Sequence, residues 1–498
     1  MKVYQIALAG LLLISVLSCQ QRKISGGTDT SYTVEDPTGT SVHAIGAELD
    51  PHFFSYCIGH AENPASENDW NIVVDRVKQL GIQMFRVMVQ PRWFEQLNDD
   101  NDPDHINWGG LDFETPEMKS LYRVLDLAQQ NNISVLLVSW GCPQGHFLAE
   151  GNQTSNEQSW IVGPKNEAEY AENLSILIQH LVIKKGYTCI REITPYNEPN
   201  LFYFIDGKVN ADAYISMCKK LDAKFKADKI RSVVRFNLVD ESNGYEFLEK
   251  CAGELHNEAD LMNSHIYSFG YESPNHDILN YESKHRNAVP AGLPHFIGEF
   301  GSNQTVGAYL QSDIDEYIRG VFIVRMMLNI FNAGATGMSY WNLFDEYYWK
   351  DAPYDGLMKT GLWRYKKNSY LGSEFFDRIQ EDFQLRPQYF AYGLMTNHVR
   401  PGAAIYPVKT DKDNVAASAF RNPDGRWVYV ITNEQSDALK ISLSNRFRGK
   451  PVFDVFRYVE KELPAGNQMI ETSGTAAQRG RALRIEVPAR SVLLLHQQ

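Results

Sequence analysis

From Val42 to Trp341 the chain repeats one pattern, a short apolar run rich in β-branched residues followed by an amphipathic stretch. Strands are predicted at Val42–Leu49, Gln83–Val89, Ser134–Trp140, Ile190–Tyr196, Ser232–Val239, Leu261–Tyr267, His295–Glu299 and Thr336–Trp341. Helical periodicity fills Trp70–Leu80, Leu121–Leu127, Ala171–Ile183, Ala211–Phe225 and Ile314–Phe331. In the first of these Ile72, Val73, Val77 and Leu80 share a face. Strands that alternate with helices pair in parallel, because each crossover helix carries the chain back to the same end of the sheet. Eight repeats predict a closed α/β architecture, a (β/α)8 TIM barrel. A doubly wound open sheet fits less well, since no Gly-rich phosphate loop follows the first strand.

A barrel of this kind fills about 250 residues or more, so 498 residues leave room for one smaller domain. After Gln384 the pattern changes. Arg386–Thr396 reads as a last helix. Short strands follow at Ala404–Lys409, Val415–Phe420, Trp427–Thr432, Leu439–Leu443, Val452–Val459, Leu483–Val487 and Ser491–His496, with a turn at Asn422-Pro423-Asp424-Gly425. The expected division is a barrel over 41–396 and a C-terminal β-sandwich over 397–498. Only Trp427 of the nine tryptophans falls in the sandwich, which suits a structural accessory domain better than a sugar-binding module.

The chain begins with Lys2 and an apolar run from Ile6 to Leu17, too short to span a bilayer comfortably. Val16-Leu17-Ser18-Cys19 resembles a bacterial lipobox, which implies a lipoprotein signal peptide over 1–19 and lipidation at Cys19. Residues 20–40 are then expected to be a flexible tether. Gln20 is not the Asp that retains many lipoproteins in the inner membrane, so the expected site is the outer membrane of the cell envelope. The other cysteines, Cys57, Cys142, Cys189, Cys218 and Cys251, are odd in number and scattered, and do not form a disulfide framework. A net charge of -13 argues against a nucleic-acid partner and favours neutral over strongly acidic glycans.

Two strand ends carry the chemistry. Ile193-Thr194-Pro195-Tyr196-Asn197-Glu198-Pro199 closes the fourth predicted strand, and Pro294-His295-Phe296-Ile297-Gly298-Glu299-Phe300-Gly301 closes the seventh. In a parallel barrel, the C-terminal strand ends form the floor of the active site. Two carboxyls facing one cleft are what hydrolysis of a glycosidic bond requires, because the leaving oxygen needs a proton and the anomeric carbon a nucleophile. The 13 histidines include no His-X-His or His-Glu-X-X-His, so a metal-dependent hydrolase is disfavoured, and no metal or cofactor is expected. A glycan-binding lipoprotein that has lost catalysis is the alternative, and the presence of both glutamates argues against it.

From about Ala44 to Trp341 the chain resembles glycoside hydrolase clan A, the retaining (β/α)8 enzymes of families 5, 30 and 39, in which Asn-Glu ends the fourth strand and a nucleophilic Glu the seventh. The resemblance implies that Glu198 is the acid/base, Glu299 the nucleophile, and Asn197 a ligand of the sugar's 2-hydroxyl. It also implies that Arg86 holds the nucleophile ionised, that Tyr267 touches it with His265 nearby, and that Trp341 is a sugar platform. Ser139-Trp140-Gly141-Cys142-Pro143 and Arg386-Pro387 to Arg400-Pro401-Gly402 are similar to family 30, with Trp140 as a subsite residue. Gly298-Glu299 departs from the Thr-Glu common in that family. Glu48 and Trp93 are further subsite candidates. The Leu343–Phe376 segment, with Phe344, Tyr347, Tyr348, Trp349, Tyr354, Trp363, Tyr365 and Tyr370, is expected to wall a cleft with several subsites. The implied substrate is a β-linked (or α-L-arabino-linked) oligo- or polysaccharide.

Overall fold

A computed structural model describes residues 30–54, 65–143, 145–149, 161–303, 313–348, 357–371, 378–444, 450–480 and 482–498. Cys19, Cys57, Trp349 and Tyr354 lie outside the described residues. Eight parallel strands close into a barrel. In chain order they are Ala44–Glu48, Met84–Val89, Ser134–Ser139, Ile190–Thr194, Arg235–Ser242, Leu261–Ile266, His295–Phe300 and Gly337–Tyr340. Each pairs with its sequence neighbour, and Gly337–Tyr340 closes the ring on Ala44–Glu48.

The helices between them start and stop where local chemistry directs. Ser66 and Asp69 form a reciprocal capping box at the start of Glu67–Leu80, and Gly81 ends that helix at φ 63°. Thr115 caps Pro116–Gln130, with Pro116 in the first turn where its missing N–H costs nothing. Asn166 and Asn210 cap Glu167–Ile178 and Ala211–Ala227. Glu246–Glu254 buries Phe247, Leu248, Cys251 and Ala252 on one face, whereas Asn275–Ala288 carries no strong apolar stripe. The latter buries Asn275, Glu282 and His285 beside Ile278, and Glu282 Oε1 lies 2.7 Å from His295 Nδ1. A helix that faces the barrel with hydrogen-bonded polar groups has no apolar period to read.

The second domain is a nine-stranded sheet folded over its own apolar core, in which Tyr429, Ile441, Phe453 and Leu493 are buried. The expected strands all form. Two more were not expected. Thr472–Ala477 is almost wholly exposed at one edge and offers no apolar alternation. Thr30–Val34 corrects the tether expected over 20–40 from Thr30 on; residues 20–29 lie outside the described residues. It runs between Ala404–Lys409 and Leu439–Ser444, with Tyr32 and Val34 buried. The described chain therefore starts inside the sandwich and then enters the barrel.

The helix Tyr317–Asn332 is apolar on nearly every face because it lies between the two domains. Tyr317 and Tyr458 stack with centroids 4.7 Å apart, and each hydroxyl donates to the other's backbone carbonyl, at 3.1 and 2.8 Å. No helix among the described residues is long and apolar enough to cross a membrane.

Candidate active site

Arg86 is the third residue of the second barrel strand and is fully buried. A guanidinium taken out of water is tolerated only when carboxylates and amides replace the lost hydration. Here Nη1 donates to Glu48 Oε2 at 2.5 Å and Glu299 Oε1 at 2.6 Å. Nη2 donates to Asn197 Oδ1 at 2.6 Å and Asp240 Oδ2 at 2.8 Å. One arginine thus gathers the ends of the first, fourth, fifth and seventh strands. Asn197 spends its carbonyl on Arg86 and keeps Nδ2 as its remaining donor.

His265 is buried on the sixth strand with a carboxylate at each ring nitrogen. Nδ1 lies 3.0 Å from Glu198 Oε1 and 3.5 Å from Glu299 Oε2, and Nε2 lies 2.9 Å from Asp240 Oδ1. Both nitrogens therefore act as donors, which only the imidazolium allows. Burial pulls its pKa down, but Asp240 and Glu299 outweigh burial and lift it to about 10. Burial pushes Asp240 up, and His265 and Arg86 outweigh that and bring it to about 2.

Sequence reasoning ended the fifth strand at Val239 and missed Asp240. The strand runs on to Ser242 through a bulge, with Val239 at φ 88° and Asp240 at φ 57°. A β-branched residue at positive φ is strained, and the bulge turns the next side chain toward the barrel axis. Asp240-Glu241-Ser242 reads as a turn in sequence, so the only available signal was a carboxylate directly after Phe236-Asn237-Leu238-Val239.

Glu299 accepts from Arg86 and, on Oε2, from Tyr267 Oη at 2.8 Å. Burial raises its pKa, while His265 and Arg86 oppose the rise. The preceding glycine has a steric reason. A Cβ on Gly298 would lie 2.9 Å from Asp240 Oδ1, 2.9 Å from Asn263 Oδ1 and 3.0 Å from His265 Nε2. The Asp240–His265 pair occupies the space a threonine would need.

Glu198 follows the fourth strand at φ 46°, ψ 56°, and Pro199 at once opens the short helix Pro199–Phe202. A non-glycine residue in this region costs about 1–3 kcal/mol and persists where the surroundings impose it. Its side chain is 15% exposed, against 5% for Glu299, so Glu198 has the better access to solvent protons. One oxygen of Glu198, one of Glu299 and a nitrogen of His265 lie within 4.8 Å of one another. That spacing also suits a metal ion, but Arg86 and the His265 imidazolium already supply two positive charges to these carboxylates, and a further cation would meet both.

Trp341 is partly exposed beside Tyr267, with ring centroids 6.1 Å apart. Its Nε1 donates to Tyr348 Oη at 3.2 Å, and Asn342 Nδ2 donates to the same hydroxyl at 2.7 Å. The Tyr348 hydroxyl in turn bonds Asp50, and its ring stacks on Trp140 at 5.6 Å. Trp140 and Trp341 are thus joined through Tyr348. For the other described rings of Leu343–Phe376 the cleft expectation is corrected; Trp349 and Tyr354 lie outside the described residues. Phe344, Tyr347, Trp363, Tyr365 and Tyr370 are buried, with Trp363 stacked on Phe344 and edge-on to Tyr389. These rings pack a core above the eighth strand, and Tyr348 alone among them joins the site residues. Glu48 is a buried partner of Arg86. Trp93 borders a separate cavity of about 370 Å³ with Arg92, Glu117 and His146.

Residues 405–493 match the sequence model of the glycosyl hydrolase family 30 beta sandwich domain. No curated protein matches the chain. The structure is similar to a family 30 subfamily 8 xylanase from Clostridium acetobutylicum, at 13% identity and TM-score 0.64, covering 94% of this chain and 99% of that one. Barrel and sandwich together are the family 30 fold. A similar likeness extends to an endo-β-1,6-glucanase, at 16% identity and TM-score 0.62, covering 95% and 94%. It reaches a family 39 glycoside hydrolase from Xanthomonas axonopodis pv. citri, at 14% identity and TM-score 0.58, covering 95% and 98%.

Proposed function

We propose that the chain is a retaining glycoside hydrolase acting on β-linked (or α-L-arabino-linked) oligo- or polysaccharides by double displacement. The observation that carries this is the approach of Glu198 and Glu299 to within 4.8 Å around His265, close to the ~5–5.5 Å of retaining carboxyl pairs and well short of the ~6.5–9.5 Å of inverting ones.

Glu299 Oε2 attacks the anomeric carbon while Glu198 gives its proton to the leaving oxygen. A glycosyl ester on Glu299 forms. Glu198, now a carboxylate, takes a proton from water, and that water releases the sugar. The charge pattern supports these roles. Burial pushes the Glu48 carboxyl up, while the Arg86 guanidinium pulls against the rise. Arg86 and His265 face Asp240 and Glu299, two cations against two anions, and Glu198, the more exposed of the catalytic pair, is the one placed to exchange a proton with solvent. Arg86 and Tyr267 donate to Glu299 before attack and must release electron density as the ester forms. Asn197 Nδ2 is the donor for the sugar's 2-hydroxyl, and Trp341 and Trp140 supply apolar surface for sugar rings.

The likeness to a xylanase and an endo-β-1,6-glucanase supports a neutral polymeric substrate. The lipobox supports attachment to the envelope through Cys19. Aryl β-glycosides of graded leaving-group acidity test the acid/base role. Glu198→Ala should lose about 10²–10⁴-fold on poor leaving groups and far less on activated ones. Azide should restore turnover and give a β-glycosyl azide. Equal losses across the series would remove Glu198 from this role.

A further inference from the structure

Tyr348 follows the short strand Glu346–Tyr347 and is buried where three other rings meet. It stacks on Trp140, with centroids 5.6 Å apart at 28°. It meets Trp341 edge-on at 6.1 Å and His52 edge-on at 5.0 Å. Packing of that kind needs only a phenyl ring, so the hydroxyl has a separate role.

The hydroxyl has three partners. Trp341 Nε1 donates to it at 3.2 Å and Asn342 Nδ2 at 2.7 Å, and it donates to Asp50 Oδ2. Two accepted bonds and one donated bond are the full capacity of a hydroxyl. Asp50 is fully buried after the first barrel strand, and its Oδ1 accepts from Met88 N on the second strand at 2.6 Å. Asn342 is fully buried as well, and its Oδ1 accepts from Thr360 Oγ1 at 2.7 Å. An ionised carboxylate can only accept, so Asp50 directs the hydroxyl proton and leaves both lone pairs to Trp341 and Asn342. Trp341 is the partly exposed member of the group. It faces Tyr267, which donates to Glu299 at 2.8 Å.

We propose that Tyr348 is a positioning residue for the sugar: its hydroxyl, aimed by Asp50, fixes the rotation of the Trp341 indole and so the tilt of the platform beside Glu299. The inference rests on the glycosidase reading and on Trp341 as the sugar platform. An indole rotates about its bond to Cβ, and a partly exposed one has no packing on its open side to stop it. A hydrogen bond at Nε1, the ring's one polar atom, lies off that axis and holds the ring. Trp140 stacks on the same tyrosine, so one residue sets both apolar surfaces. A sugar on a tilted platform presents its anomeric carbon away from Glu299 Oε2, which lowers rate as well as binding.

The test uses the full chain and an aryl glycoside, with melting by calorimetry to show that each variant is folded at the assay temperature. Tyr348→Phe keeps the ring and removes the hydroxyl. It should lose roughly 10-fold in kcat/KM, with part of the loss in kcat. Because Tyr348 acts through Trp341, that loss should vanish once the platform is gone. Tyr348→Phe combined with Trp341→Ala should match Trp341→Ala alone to within about twofold. Asp50→Asn should reproduce the loss, since Met88 N keeps the oxygen and the new amide NH2 makes a third donor competing for two lone pairs. The Trp341 indole N–H, identified in an NMR spectrum by its absence from Trp341→Phe, should exchange slowly in the wild type and at least ~10-fold faster in Tyr348→Phe. A wild type that cleaves no glycoside would overturn the glycosidase reading and the proposal with it. In an active wild type, losses that multiply in the double variant, or a Trp341 indole that exchanges like one open to water, would overturn the proposal alone.

Discussion

Asp240 accepts from both Arg86 and His265, and so sets which groups in the cleft carry charge. His265, raised from 6.5 to about 10, contributes its stabilisation fully below about pH 6.5 and loses it as pH rises through about 10. Asp240, lowered from 3.8 to about 2, contributes fully above about pH 3.8 and loses its share as pH falls through about 2. The pair therefore stays charged across the neutral range. Asp240→Asn should cost about 3–5 kcal/mol, because it leaves a buried imidazolium without its main partner. It should also bring the His265 titration down into the range accessible to NMR, whereas the wild-type ring should not titrate between about pH 5 and 8. An unshifted His265 in the variant would show that Asp240 does not hold the proton. Most of this site was legible because chemistry sits at strand ends: Glu198, Asn197, Glu299, Arg86, His265 and Tyr267 all meet where strand order places them. Asp240 was not, because a bulge gives it an inward position that strict alternation does not predict.

At the scale of elements, apolar period revealed what packs by apolar contact and hid what packs otherwise. All eight barrel strands were readable, whereas Asn275–Ala288 packs through Glu282 and His285. The strand Thr30–Val34 was read as a tether because only Tyr32 and Val34 of its short, polar sequence are buried, and its partners lie some 400 residues later, with Thr33 opposite Lys409. Aromatic content misled in the opposite sense. The rings after Leu343 suggested sugar subsites, but a ring with no access to solvent cannot stack on a sugar. Trp363→Ala should therefore destabilise the fold by about 3–5 kcal/mol, seen as a lowered Tm by calorimetry. KM should not depend on chain length more steeply in the variant than in the wild type. A selective rise of KM for long substrates with an unchanged Tm would return Trp363 to the cleft.

The molecule as a whole is two cores joined by the helices Tyr317–Asn332 and Pro387–His398. Tyr317–Asn332 belongs to the barrel by sequence order, yet it contacts the sandwich through the Tyr317–Tyr458 stack and through Arg325, whose Nε lies 2.9 Å from Glu434 Oε1. The sandwich draws strands from both ends of the described chain, so Thr30, where the described residues start, lies in the sandwich rather than at the barrel mouth. An anchor at Cys19 would then tether the molecule by its accessory domain. Cys19→Ala should move the protein from the membrane fraction to the soluble fraction while the specific activity of the purified protein is unchanged. Retention in the membrane fraction would remove Cys19 as the anchor. The identity of the sugar was not legible in the sequence, since subsite preference depends on side chains from several loops whose approach only the fold determines.

The central claim is that Glu299 is the nucleophile of a retaining reaction, and covalent trapping tests it most directly. A 2-deoxy-2-fluoro glycoside with an activated leaving group, matched to the best sugar in an aryl-glycoside panel, slows both steps but the second more. Peptide mass spectrometry of the inactivated enzyme should find one fluoroglycosyl ester, on Glu299, and Glu299→Gln should take up no label. A label on another carboxylate, or an active Glu299→Gln enzyme, would contradict the account.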